Sequence, residues 1–409
     1  MTRQTAIALA LPALIAVANL ISANAQAQKS YGPGVTDTEI KVGQTMPYSG
    51  PASAYGVIGR AEAAVFAKLN EEGGINGRKI KLLSLDDGYS PPRTVEQTRK
   101  LVEEEQVLFV YSSLGTPPNT AVQKYLNAKK VPQLFVSTGA TKWGDPQHFP
   151  WTMGWQPNYQ TESRTYAAYI LKQHPTAKIG ILFQNDDYGK DYVKGFKDGL
   201  GDKAASMIVA EVSYEVTDPT VDSQIVTLQA SGADTFFNVT TPKFAAQAIR
   251  KAYDTGWKPV HFLNLVSASI ASVLQPAGLE KSAGLISAVY LKDPSDPEWK
   301  ADRATQAFFA WAKKYLPDAD PTDPFVAYGY AHAHTLVQVL KQCRDDLTRE
   351  NVMREAASVK NLEVPMLLPG VQINTSATDF YPIEQLQLQR FDGKNWVRFG
   401  DLIDASHRR

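Results

Sequence analysis

Cysteine is all but missing: Cys343 is the only one in 409 residues, so no intramolecular disulfide can form and stability must rest on burial. Past residue 21 no run of ~18 apolar residues occurs, which leaves no second segment fit to cross a membrane as a helix. Charge of one sign is missing too, with Lys plus Arg and Asp plus Glu both at 42, so nothing favours a nucleic-acid partner or an anionic membrane surface. Catalytic signatures are equally scarce. The chain holds no G-x-S-x-G, no H-E-x-x-H, no G-x-x-x-x-G-K-[ST], and no G-x-G-x-x-G after its first strand pattern. His332 and His334 lie two apart in a helical stretch, so they diverge and cannot readily chelate one metal. Cys343, in a long amphipathic helix pattern, fits a small core residue better than a nucleophile. The acidic pairs Asp86-Asp87 and Asp186-Asp187 have no evident partner for acid–base work and suit helix capping. These absences argue against an enzyme, a metal and a cofactor.

The N-terminus reads as an address. Arg3 gives a positive start, residues 6–21 are apolar apart from breaks such as Pro12 and Asn19, and small residues follow with A-x-A spacing at 23–25 and 25–27. A signal peptide over residues 1–27, cleaved to leave Gln26 or Gln28 first, sends the chain to the periplasm. About 380 residues with 44% hydrophobic content then suffice for two cores of ordinary domain size.

From residue 39, short apolar runs alternate with amphipathic ones, the order of strand, helix and parallel strand. Strands are expected at 40–43, 79–86, 107–111 and 133–137, with helices at 57–69, 91–104 and 119–128 between them. A second series begins after 151–157: strands at 178–183, 207–212, 235–239 and 260–263, with helices at 162–172, 188–199, 222–230 and 243–253. A strand through Tyr290 and helices at 302–315 and 325–343 follow. The expected fold class is α/β, with two doubly wound lobes. In such sheets ligands bind beyond the carboxyl ends of the strands. Four post-strand segments there are rich in glycine, hydroxyls or tyrosine: 48–56, 112–117, 137–141 and 185–189. Free backbone N–H groups and hydroxyls at a helix N-terminus can bind a carboxylate without a basic side chain, although turns and caps use the same residue types.

In these loops the chain resembles the type I periplasmic substrate-binding proteins of the Leu/Ile/Val-binding family. The likeness runs through SGPASAYG at Ser49, LNEEGGINGR at Leu69, LDDGYSPPRTVEQTRKLV at Leu85, GTPPNTAVQKYL at Gly115, STGAT at Ser137, NDDYGKDYVKGFKDGL at Asn185 and GADTFF at Gly232. It implies two lobes joined by a three-crossover hinge that closes on a ligand. By position, the crossovers fall near 156–159, 287–290 and 365–373, giving one lobe of 38–157 plus 288–366 and another of 158–287 plus 367–402. Ligand contacts carry over to Tyr55, Leu114, Gly115, Thr116, Gly139, Ala140, Thr141 and Tyr188, with Thr241 and Leu265 in addition. The Gly115–Thr116 and Gly139–Thr141 segments would meet a ligand carboxylate.

Two departures follow from the same comparison. The family's common disulfide would join positions held here by Tyr89 and Leu114. The acid that pairs with a ligand ammonium aligns near Leu265, in a loop without a carboxylate. A buried ammonium there would stay unpaired. The implied function is therefore capture of a small carboxylate, aromatic or otherwise apolar, for the membrane permease of an ABC importer, by a monomer without cofactor. The wording also resembles a branch of the family associated with lignin-derived aromatic acids. Alternatives are a branched-chain or other amino acid as ligand, and a periplasmic ligand sensor.

Overall fold

The computed structural model describes residues 29–405; the signal segment and its cleavage sites lie outside them. The first sheet is built from β1 (Glu39–Met46), β2 (Lys79–Asp86), β3 (Phe109–Tyr111), β4 (Gln133–Val136) and β5 (Thr152–Gly154). Its order is β2-β1-β3-β4-β5, all parallel. The runs buried on both faces, such as Phe109, Val110 and Tyr111, are what a central parallel strand requires. Helices α1 (Gly56–Glu71), α2 (Pro91–Arg99) and α3 (Thr116–Ala128) cross between these strands, and a π-helical turn over Lys100–Glu104 prolongs α2.

The second sheet takes β6 (Ile179–Gln184), β7 (Ile208–Tyr214), β8 (Thr235–Val239), β9 (Val260–Leu263) and β10 (Ile286–Val289), then β11 (Gln385–Phe391) and β12 (Trp396–Asp404). The order is β12-β11-β10-β9-β8-β6-β7. It is parallel as far as β10, but β11 and β12 form an antiparallel hairpin on the edge. Helices α4 (Tyr159–Gln173), α5 (Asp187–Leu200), α6 (Asp222–Ala230) and α7 (Pro242–Asp254) cover this sheet. Asn158 caps α4 by accepting from Thr161 N–H (2.8 Å), and Asp186 caps α5 by accepting from Tyr188 and Gly189 N–H.

Between β10 and β11 the chain returns to the first lobe, where α8 (Arg303–Tyr315), α9 (Pro324–Cys343) and α10 (Arg349–Ala356) complete its core. α9 packs along α1. The third crossing lies at 383–385, later than the 365–373 that the resemblance implied. Leu367, Leu368, Val371, Ile373, Phe380 and Ile383 are all buried in the first lobe's core, so the chain cannot leave it earlier. Lys292 N–H donates to Met366 O (2.7 Å) and Leu362 pairs with Ile373, fixing the same path. Among the described residues, no helix is long and apolar enough to cross a membrane.

Candidate ligand-binding site

The carboxyl ends of both parallel sheets face one cleft, and the cleft encloses a cavity of about 110 Å³. At the ~10–15 Å³ that each water centre needs, this is room for roughly seven to eleven waters, the scale of one small molecule. Of the residues singled out in the sequence, Tyr55, Leu114, Gly115, Thr116, Tyr188, Thr241 and Leu265 line it. The two lobes are shut on it: Tyr55 Oη, in the first lobe, donates to Val266 O in the second at 2.9 Å. Ser269 and Ser272 donate to Asp323, the cap of α9, at 3.0 and 2.5 Å, and Lys142 reaches Asp187 at 2.6 Å.

Gly115 sits at φ +98, and a Cβ there would come within 2.4 Å of the Tyr89 ring, so only glycine allows Tyr89 to close that wall. The next residue opens α3, and the Thr116 hydroxyl is 2.6 Å from the Thr138 hydroxyl. Thr241 lies before α7, its N–H donating to Tyr214 Oη at 3.0 Å.

Gly139, Ala140 and Thr141 do not line the cavity. Thr141 N–H and Oγ1 both donate to Asp191 on α5, at 2.8 and 2.9 Å, so this turn ties the lobes together instead of meeting a ligand. A Cβ on Gly139 would lie 2.5 Å from Pro157 O, and its carbonyl accepts from Tyr159 N–H, which accounts for this glycine by packing behind the wall. Ala140 N–H is 3.4 Å from Thr138 Oγ1.

Sequence reasoning missed much of the wall. Tyr89, Tyr159, Tyr290, Tyr328 and Phe325 add rings to those of Tyr55 and Tyr188. Tyr159 meets Tyr188 edge-on at 5.4 Å, and Tyr55 packs on Phe325 at 5.0 Å. Ser137, Gln156, Lys292 and Asp293 supply polar atoms. Lys292 pairs with Asp302 at 2.9 Å. Asp293 Oδ1 accepts from Ser295 N–H and Oγ, at 2.8 and 2.7 Å, and burial pushes this carboxyl up to about 6 against those bonds. The loop after β9 presents Leu265, Val266 and Ala268, none of them acidic. Behind it, fully buried Glu162 on α4 accepts from Leu265 N–H (2.8 Å), Tyr166 and Tyr192. Burial pushes Glu162 up to about 7, against the pull of these three donors.

The remaining chemical candidates are occupied. Asp86 accepts from Ser49 and Arg93, and Asp87 from Tyr89 N–H and Thr94. Buried His332 bonds Glu62 at 2.8 Å. Cys343 is buried, and desolvation pushes its thiol up to about 12. Among the described residues no group of three or more potential ligands is placed to hold a metal.

Two α/β lobes closed over an apolar cavity define a ligand-binding protein of the hinged, two-lobed class. A profile of the periplasmic binding protein family matches residues 39–395, and the chain belongs to that family. The family is one of binding proteins. A relative, the Leu/Ile/Val-binding protein homolog 7 of Brucella abortus, is 22% identical over 63% of this chain, and the match spans just under two thirds, 66%, of that relative's own length. Two solved structures share the fold. A branched chain amino acid ABC transporter protein from Thermus thermophilus, with bound valine, has a TM-score of 0.81 at 15% identity, covering 91% of this chain and 98% of its own. A fatty acid ABC transporter substrate-binding protein from Thermomonospora curvata has 0.78 at 22%, covering 92% and 95%.

Proposed function

We propose that this chain is the exported, periplasmic substrate-binding component of an ABC importer, a monomer that captures a small carboxylate with an apolar, ring-sized body and delivers it to a membrane permease. The observation that carries the ligand class is the wall formed by tyrosines, Phe325 and the Leu265–Val266 loop, which offers apolar area where an ammonium would need a counter-charge. Burying ~150 Å² of ring surface is worth roughly 4 kcal/mol at about 25 cal/mol per Å². An unpaired ammonium in the same place would cost several kcal/mol, roughly. One structural neighbour is a fatty acid transporter's binding protein and another holds valine, a zwitterion, so the fold serves both ligand classes and the wall must decide between them.

A second reading, an amino-acid ligand, is favoured by one observation: Asp293 lines the cavity with only one of its oxygens held by Ser295. A thermal-shift screen of the mature chain separates the classes. A ligand at 100 times its dissociation constant adds about 2.7 kcal/mol. Aromatic and alkanoic acids are expected to raise the melting temperature and leucine, isoleucine and valine to leave it in place; the reverse pattern refutes the carboxylate reading.

A further inference from the structure

Two polar groups of the cavity wall have no hydrogen-bond partner among the described residues: the Gln156 amide nitrogen and the Tyr290 hydroxyl. Their side chains are deeply buried, Gln156 at 6% exposure and Tyr290 at 3%. Each such group costs stability when left unmatched, and native proteins leave few of them. Here both stand on chain crossings between the lobes, Gln156 on the first and Tyr290 on the second.

The neighbours hold the two groups in place. Gln156 Oε1 lies 3.0 Å from Tyr328 Oη, which is 3.2 Å from Ser137 Oγ. Ser137 is 2.7 Å from Ser112 Oγ, and Ser112 donates to the buried Glu62 carboxylate at 2.6 Å. This chain anchors the carbonyl end of the amide in the first lobe, while its N–H₂ stays buried and unmatched in a residue of the cavity wall. Tyr290 meets Trp155 edge-on at 6.0 Å, and Trp155 meets Tyr328 edge-on at 5.0 Å, so Tyr290 and Gln156 are tied to the same aromatic cluster and both line the cavity. Of the hydroxyls expected to hold a carboxylate, Thr141 donates to Asp191 instead, and Thr116 lies 2.6 Å from the Thr138 hydroxyl.

We infer that Gln156 Nε2 and Tyr290 Oη are the paired donors that bind the oxygens of the ligand's carboxylate, at the hinge side of the cavity. The inference rests on the carboxylate reading above. An amide nitrogen donates and cannot accept, so it selects an oxyanion over an ammonium. Two donors match the two carboxylate oxygens, while the ligand's apolar body faces the tyrosines and Leu265.

Calorimetry with benzoate and 4-hydroxycinnamate as probes tests this, on the wild type and on Gln156→Leu, Tyr290→Phe and the near-isosteric Gln156→Glu. The first two variants are expected to weaken binding roughly tenfold to a hundredfold each, the range for a hydrogen bond to a charged group. The ligand-free melting temperature of Tyr290→Phe should stay level or rise, because only an unmatched buried hydroxyl has been removed, whereas a structural role would lower it; Gln156→Leu also takes Oε1 from Tyr328, so it is read on affinity. Gln156→Glu sets a carboxylate against the ligand's and should weaken binding more than Gln156→Leu. Unchanged affinity in either Gln156→Leu or Tyr290→Phe overturns the pairing, and so does wild-type affinity in Gln156→Glu, which would mean that a donor on the ligand faces this side chain. If neither probe nor any other acid binds the wild type, the carboxylate reading itself fails and takes the inference with it.

Discussion

Asp293 stands in the cavity wall with a carboxyl raised to about 6 by burial, and its charge acts oppositely on the two ligand classes. Above pH 6 it is ionised, so it repels a carboxylate and attracts an ammonium; below pH 6 it is neutral and does neither. A carboxylic acid whose own pKa is near 4.5 stays ionised throughout this window. Its affinity is therefore expected to rise severalfold as pH falls from 8 to 5, and Asp293→Asn should flatten the profile at its high-affinity level. Titration calorimetry at four pH values reads both; affinity that falls with pH and collapses in Asp293→Asn would make Asp293 an ammonium partner. Residue identity was only partly legible in the sequence. Tyr55, Leu114 and Thr116 could be placed because they follow strands, but Asp293 sits in Lys292-Asp293-Pro294-Ser295, where ordinary turn chemistry masks a cavity-facing group. Thr141 shows the converse: its loop and composition suit a ligand, and only the approach of Asp191 from the other lobe takes its hydroxyl away.

At the scale of elements, α4 and the loop after β9 are joined through one buried acid, Glu162, whose oxygens hold Leu265 N–H and two tyrosine hydroxyls. An unfolded glutamate titrates near 4.3, whereas folding raises Glu162 to about 7. The raised value means that its stabilising contribution is complete below about pH 4 and is lost as pH rises through 7. Glu162→Gln keeps an oxygen for Leu265 N–H and stays neutral, so its melting temperature relative to wild type should be several degrees more favourable at pH 8 than at pH 5. A difference that is constant across this range would show that Glu162 does not titrate there. Period-2 and period-3.6 patterns located nearly every element of the two parallel sheets, because strands and helices that bury apolar faces must carry them in the sequence. The β11–β12 hairpin went unnoticed although Leu386, Leu388 and the Asp392-Gly393 turn signal it; its polar alternate positions give a weaker apolar run than a doubly buried strand.

The whole molecule is two cores with a shared, apolar interior face, closed by bonds that join one lobe to the other at Tyr55, Thr141, Lys142 and Asp323. Closing desolvates whatever lies between, which strengthens each polar contact to the ligand and penalises any unmatched charge it brings. The duplicated α/β plan was legible, since each lobe repeats the same order of elements. The third crossing was not, because residues 367–383 form an irregular segment whose apolar residues reveal their lobe only by where they pack. The central claim is that this interior face selects an apolar carboxylate over a zwitterion. Titration calorimetry of the mature chain at pH 5, where Asp293 is neutral and acts on neither class, with 4-hydroxycinnamate, benzoate and leucine side by side, tests it most directly: at least one of the two acids is expected to bind at least tenfold more tightly than leucine, and micromolar leucine binding with no heat from either acid would contradict it.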